Sequence, residues 1–192
     1  MYMAGTTDQD VIELLLVQHE QIRALITQVR TETGDVKRES FEDLLRLLAV
    51  HETAEEEVVH PTARRKIANG ERVVDARLNE ESQAKDELSE LYDLGVDHSE
   101  FDTRFAALAD AVEKHASHEE SEEFPGLRRE LPADDLQKMA GAVRAAEAVA
   151  PTRPHPAAGE SAVAQMLLGP PVAVFDRVRD AFRDWGKTNK GS

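Results

Sequence analysis

The sequence contains no cysteine, which excludes disulfide bonds, thiolate metal ligands and cysteine nucleophiles. No apolar run approaches the roughly 18 to 20 residues that a membrane-spanning helix needs. The N-terminus also lacks the basic stretch followed by an apolar stretch that marks a secretion signal. We therefore expect a cytoplasmic protein with no membrane partner, in which any metal ion must be bound by histidine and carboxylate side chains.

Positive charge is scarce as well. The chain has 23 Lys and Arg against 38 Asp and Glu, which gives a formal net charge of -15. A surface that binds phosphate backbones needs the opposite sign, so we expect no nucleic-acid partner. With 192 residues, 41% of them hydrophobic, the chain is long enough for one domain with a core and a small appendage.

The hydrophobic residues recur with a helical period along nearly the whole chain, and no stretch alternates with a period of two. The pattern predicts an all-α protein with four long helices joined by short turns, over about residues 7–31, 38–66, 72–94 and 99–129. We expect the first helix to be capped by Thr7 or Asp8. Helices of this length and connection form an up-down-up-down four-helix bundle, in which internal sites are built from facing helices. We assign residues 1–130 to this bundle.

Residues 131–192 are predicted to be a helical extension that packs on the bundle. A fifth helix begins near Pro132, and a Pro-rich connection follows at residues 150–160. The extra C-terminal helix from Val172 to Trp185 is amphipathic and should pack across the bundle. Its apolar face could instead bind a partner or a second copy of the chain, so a monomer and a homodimer both stay open.

Two eleven-residue stretches place polar side chains where the apolar face of a helix should continue. They are HETAEEEVVHP, residues 51–61, and HASHEESEEFP, residues 115–125. In each, a histidine precedes a glutamate by four positions: His51 with Glu55, and His115 with Glu119. This spacing stacks the two side chains one turn apart on one face, so both members of a pair can bind the same cation.

The first helix contributes His19 at a position on its own apolar face. Buried carboxylates cost several kcal/mol unless something compensates their charge, so the combination predicts a metal site of nitrogen and oxygen ligands. Iron fits best, followed by manganese or zinc. Taken alone, His19 could be a hydrogen-bonded core histidine and Glu55 a surface residue. We interpret the remaining histidines as structural or surface residues: His60, His98, His118 and His155.

The chain resembles the hemerythrin-like (HHE cation-binding) proteins, in the longer form met in actinobacteria. The resemblance rests on QHEQIRAL in the first helix and on the two eleven-residue stretches. It implies a non-haem di-iron centre with an oxo or hydroxo bridge, inside a hemerythrin-like four-helix bundle. By this resemblance His19 and His51 would bind one iron and His115 the other, while Glu55 and Glu119 would bridge them.

The third helix departs from the family pattern, because residues 78–88 contain no histidine. Ser82 stands where similar sequences have a histidine after two glutamates. Glu81 falls on the inward face and could replace the nitrogen ligand with oxygen, although a salt bridge with Lys85 four residues later is an equal alternative. Some family members also use a glutamate next to the histidine of the second helix, a place that Glu52 holds here.

These expectations favour a protein that binds, senses or detoxifies dioxygen, nitric oxide or peroxide at the metal. A ligand-poor second iron would leave open positions at which such molecules could bind directly. An enzyme that decomposes hydrogen peroxide, as a catalase does, is the alternative. A metal-free helical interaction module is the third possibility, and Ser82 is the only residue that argues for it. Whether the protein is an enzyme stays open at this point.

Overall fold

The computed structural model describes residues 9–149, and within this range all regular structure is helical with no strand. The helices are α1 (Val11–Thr31), α2 (Gly34–Ala54), α3 (His60–Lys66), α4 (Gly70–Leu94), α5 (Phe101–His118), α6 (Phe124–Glu130) and α7 (Ala133–Val149). Two π-helical turns, π1 (Glu55–Val59) and π2 (Glu119–Glu123), join α2 to α3 and α5 to α6 without a break. The helix predicted from Val172 to Trp185 and the residue His155 lie outside the described residues.

Four long rods result, because α2, π1 and α3 form one and α5, π2 and α6 form another beside α1 and α4. The α1 rod packs on α2, and α4 packs on both α3 and α5. The predicted all-α four-helix bundle is therefore confirmed. Gly34 and Gly95 end or begin helices with φ values of +60° and +83°, a backbone conformation that glycine adopts without strain.

The predicted start of the first helix was wrong by a few residues. The N-cap is Asp10, whose side chain accepts a hydrogen bond from the backbone N–H of Glu13, while the Glu13 carboxylate accepts from the N–H of Asp10. This reciprocal pair is a capping box. The sequence offers several cap-forming residues in a row here, and the glutamate three positions later selects Asp10.

The fifth helix lies against the outside of the bundle. It contacts α1, α2 and π1, and it buries Leu136, Ala140 and Val143 among the residues whose side chains are described. Arg144 also donates a hydrogen bond to the backbone carbonyl of Gln9. The division of the chain at residue 130 stays a prediction. Within residues 9–149, no helix combines the length and apolar content that crossing a bilayer requires.

The core is continuous along the bundle and apolar at both ends. At one end Phe101 stacks on Phe105 at 5.7 Å between ring centroids, and Phe41 meets Phe101 edge to face at 5.2 Å. At the other end Phe124 and Leu127 are buried. Between these ends the inward positions are occupied by histidine and glutamate, so the polar side chains are isolated from water by apolar layers above and below.

Candidate metal centre

Both π-helical turns lie within the eleven-residue stretches and end just before the proline of each stretch. Pro61 has no N–H and its ring crowds the carbonyl four residues earlier, so the preceding turn widens. As a result the N–H of His60 bonds to the carbonyl of Glu55, five residues back. The second stretch repeats this arrangement, with the N–H of Phe124 donating to the carbonyl of Glu119.

The wider turn changes which residues face the interior. In an α-helix His60 would lie about 1.4 turns after Glu55, and therefore off the inward face. The π turn instead brings the two residues into line, and only 2% of His60 is exposed. Of the two interpretations given for His60, structural or surface, the surface one was therefore wrong.

One group of donor atoms lies between α1, α2 and the two π turns. It consists of His19, His51, Glu55 and Glu119, all of them buried, each offering one atom within 4.8 Å of the others. The Nε2 atom of His19 lies 3.2 Å from Oε2 of Glu119, and Nε2 of His51 lies 3.4 Å from Oε2 of Glu55. A cation among these atoms would meet two nitrogens and two oxygens.

A second group adjoins the first and shares both of its carboxylates. Its members are Glu55, Glu81, His115 and Glu119, again within 4.8 Å of one another and all buried. The Nε2 atom of His115 lies 3.3 Å from Oε1 of Glu119. Because Glu55 and Glu119 belong to both groups, they occupy the positions of bridging ligands between two cations.

The structure thus brings together all six predicted site residues. The alternative of a Glu81–Lys85 pair is weak, since Lys85 Nζ lies 3.8 Å from Glu81 and makes a short contact with Glu56. Ser82 is exposed. A histidine at position 82 would therefore not face the donor groups, because the α4 residue that faces them at this level is Glu81, one position earlier.

Each of the three site histidines is held by a hydrogen bond on its Nδ1 nitrogen. The partners of Nδ1 are Glu120 for His19 (2.8 Å), Gln18 for His51 (2.7 Å) and Glu80 for His115 (3.1 Å). A neutral imidazole that donates from Nδ1 to an oxygen leaves the Nε2 lone pair free for a metal. Apart from their position next to predicted site residues, no sequence pattern predicted these partners.

When no metal is bound, burial and neighbouring charges shift the pKa values of Glu55 and Glu119 in opposite directions. Burial raises the pKa of Glu55 well above its usual value, and the nearby Glu119 raises it further. Burial would also raise the pKa of Glu119, but His115 and His19 hold it well below its usual value. Contact with Glu119 and Glu80 outweighs burial at His115 and raises the pKa of its imidazole to about 11.

Several buried atoms of the two groups have no hydrogen-bond partner. They are both carboxylate oxygens of Glu55, both of Glu119, Oε2 of Glu81, and Nε2 of His19 and of His115. A buried polar atom without a partner costs about 1 to 3 kcal/mol, and more when it is charged. Divalent cations would satisfy these atoms together, and imidazole with carboxylate suits iron, manganese and zinc. The residues present therefore fit a metal centre.

A third group lies beside the second and was not predicted. It contains His60, Glu119 and Glu123, all buried, with one donor atom each within 4.8 Å. Nδ1 of His60 lies 2.9 Å from Glu123, and Nε2 lies 2.6 Å from Glu81. The π turn explains the omission, because a regular α-helical period does not place His60 on the inward face.

A small cavity opens next to the second group. Its volume is about 20 Å³, room for roughly one water molecule. The walls include apolar side chains from all four rods, Ile22, Leu48, Ala84 and Val112, together with polar site residues. Glu52 also lines it, 3.4 Å from Lys85, and burial raises the pKa of the Glu52 carboxyl to about 8 despite that lysine.

The other two histidines within residues 9–149 lie outside the donor groups. His118 is half-buried and its Nδ1 lies 2.8 Å from Glu80, the residue that also binds His115. His98 is exposed in the turn between α4 and α5. Neither contributes an atom to the three groups.

Comparison with known proteins agrees with this architecture. The model of the hemerythrin HHE cation-binding domain matches residues 10–127. A DNA nickase of Nostoc sp. is 27% identical over 141 residues, 73% of this chain but 40% of the Nostoc protein. An uncharacterised hemerythrin-like protein of Schizosaccharomyces pombe is 25% identical over 139 residues, 72% of this chain and 68% of that protein.

Among solved structures, an HHE cation-binding domain protein from Mycobacterium kansasii superimposes with a TM-score of 0.63. The two sequences are 19% identical, and the superposition covers 71% of this chain and 84% of the other. At this identity the likeness shows a common fold.

Proposed function

The chain belongs to the hemerythrin HHE cation-binding family, and on that premise we propose that it is a non-haem iron protein that binds dioxygen, nitric oxide or peroxide. The observation that carries the proposal is the pair of donor groups sharing Glu55 and Glu119, with their oxygens unpaired. Two cations side by side would use all of these atoms. A single cation would leave the donors of one group without a partner.

The chain's residues divide into two ligand sets in this proposal. His19 and His51 bind the first cation, His115 and Glu81 bind the second, and Glu55 and Glu119 bind both. Bound iron would supply one-electron redox chemistry and a position for a small ligand. The first set, with four protein ligands, suits a cation that keeps an open position.

The size and lining of the cavity support a small ligand. A volume of about 20 Å³, room for roughly one water molecule, suits a ligand of similar size. Apolar walls suit dioxygen and nitric oxide, which need no hydrogen bonds. The cavity touches His19 and His51 as well as His115 and Glu81, so a molecule inside it would be next to both sets.

A peroxide-decomposing enzyme is the second candidate, and Glu52 favours it. Cleavage of an O–O bond requires a proton for the departing oxygen. The Glu52 carboxyl lines the cavity and, with a pKa of about 8, retains its proton at neutral pH. Lys85 lies beside it and is partly exposed, so it links Glu52 to the solvent for reprotonation.

Two other activities receive no support from the chain. Nicking of DNA, named for the Nostoc relative, would require a surface attractive to phosphate, and the net charge of -15 opposes this. A metal-free interaction module would leave at least four buried carboxylate oxygens without partners. This would lower its free energy of unfolding, and binding another protein does not require it.

The test is to load the purified protein with ferrous iron under anaerobic conditions and mix it separately with dioxygen, nitric oxide and hydrogen peroxide. We expect a change in the absorption spectrum with at least one of them, saturating in proportion to the protein. His51→Ala should lose this change, whereas Glu39→Gln, at an exposed site on the same helix, should keep it. Spectra identical to those of free iron for the wild-type protein would contradict the proposal.

A further inference from the structure

His60 occupies an unusual position between two buried carboxylates. Its Nε2 lies 2.6 Å from Oε1 of Glu81, and its Nδ1 lies 2.9 Å from Oε1 of Glu123. A neutral imidazole has a single N–H and can donate to only one of these oxygens. The lone pair of the other nitrogen would then face a lone pair of the second carboxylate. This repulsion is removed only if a second proton or a metal cation lies between them.

The charges of the site favour a metal cation in that place. Four carboxylates at the centre are at most 2% exposed: Glu55, Glu81, Glu119 and Glu123. Their four negative charges equal the charge of two divalent cations, with the imidazoles neutral. A metal pair that excluded Glu123 would leave Oε2 of this carboxylate, which is 0% exposed, without a partner, because its contact with His60 uses Oε1.

The number of nitrogen ligands points the same way. The first donor group contains two imidazoles, whereas the second contains only His115. His60 lies at the edge of the second group, in contact with Glu81, and shares Glu119 with it through the third group. It therefore stands where it can supply the nitrogen that α4 lacks.

We propose that His60 and Glu123 are ligands of the second cation. His60, which follows π1 in the first sequence repeat, and Glu123, the last residue of π2 in the second, then complete the ligand set that α4 leaves incomplete. This inference rests on the proposed function, since it requires that two cations bind. The two repeats then have different roles at this position. Phe124, the counterpart of His60, carries no donor atom and stacks on His19 at 5.7 Å between ring centroids.

Cobalt(II) is a suitable probe, because it binds imidazole and carboxylate and can be counted by elemental analysis after dialysis. We expect about two cobalt ions per chain in the wild-type protein. His60→Phe, which copies the residue of the other repeat, and the near-isosteric Glu123→Gln should each retain about one. Glu122→Gln, at the exposed neighbouring position in π2, should retain the wild-type amount.

A second readout needs no variant and so does not depend on how the variants fold. In the NMR spectrum of the cobalt-loaded wild-type protein, four histidine rings should show large paramagnetic shifts, those of His19, His51, His115 and His60. Three shifted rings, with about two cobalt ions in wild-type and variants alike, would overturn this inference and leave the proposed function intact. Less than about a tenth of a cobalt ion per wild-type chain would overturn both.

Discussion

Glu52 provides a quantitative test of how deeply the site is buried. The residue is 4% exposed, and burial raises the pKa of its carboxyl from 4.5 to about 8, against the opposing effect of Lys85. In the unfolded chain the carboxyl returns to its ordinary pKa. Between pH 4.5 and 8 the unfolded chain has therefore lost a proton that the folded protein keeps, and each rise in pH favours unfolding.

The size of this effect follows from the two pKa values. One pH unit corresponds to about 1.4 kcal/mol, so the rise from 4.5 to about 8 amounts to about 5 kcal/mol at full extent. Glu52→Gln keeps the shape of the side chain and removes the titration. The free energy of unfolding of Glu52→Gln, relative to wild type, should rise by about 1.4 kcal/mol per pH unit up to about pH 8 and then level off.

The assay is urea unfolding of the metal-free proteins, followed by circular dichroism at intervals between pH 5 and 9. Other titrating groups are common to both proteins, so their contributions cancel in the difference. Glu39→Gln, at an exposed position on the same helix, is the control and should differ from wild type by a constant amount. A Glu52→Gln difference that varies by less than about 0.5 kcal/mol over this range would refute the reasoning.

His51→Ala should lower bound metal from about two ions per chain to about one or less, measured by elemental analysis, with unchanged helical content. Ser82→His should bind no more metal than wild type because the residue is exposed, whereas Glu81→His should retain the second cation with an altered optical spectrum of the cobalt form. Gly70→Ala should lower the free energy of unfolding by about 2 to 4 kcal/mol, since its methyl would lie 2.5 Å from a backbone carbonyl. Gly141→Ala, with nothing within 4 Å, should raise it by about 0.5 to 1 kcal/mol.

The sequence was sufficient for the fold and for six of the residues that meet at its centre. His51 with Glu55, and His115 with Glu119, are spaced by one α-helical turn on stretches that are regular up to that point. The helical period therefore predicted their direction correctly. Glu81 was recognised in the same way, on an uninterrupted helix.

The helical period no longer predicts which residues face inward where the backbone departs from α-helical geometry. After Glu55 the π turn adds a residue to the helix, and His60 rotates from the predicted outer face into the site. The proline that follows was visible in the sequence, but a proline can kink a helix, end it or widen the preceding turn. The Nδ1 partners Glu120 and Glu80 were missed for another reason: their role depends on which neighbouring helix they reach, which no single helical pattern contains.

The helical period also separates Glu81 from Ser82. The buried residues Val74 and Leu88 lie seven positions before and after Glu81 on α4, so the period places Glu81 on the inward face. Glu81 is 2% exposed, and its carboxylate meets His60 across the bundle. Contacts between helices therefore agree with the pattern along α4.

The most direct test of the account is the number of metal ions bound per chain by the wild-type protein and by Glu55→Gln, after expression with added iron and exhaustive dialysis. Because Glu55 belongs to both donor groups, its substitution should reduce iron from about two ions per chain to well below one, more than the loss in His51→Ala. A wild-type protein without metal, or a Glu55→Gln protein that retains both ions, would contradict the claim that these shared carboxylates bind two cations.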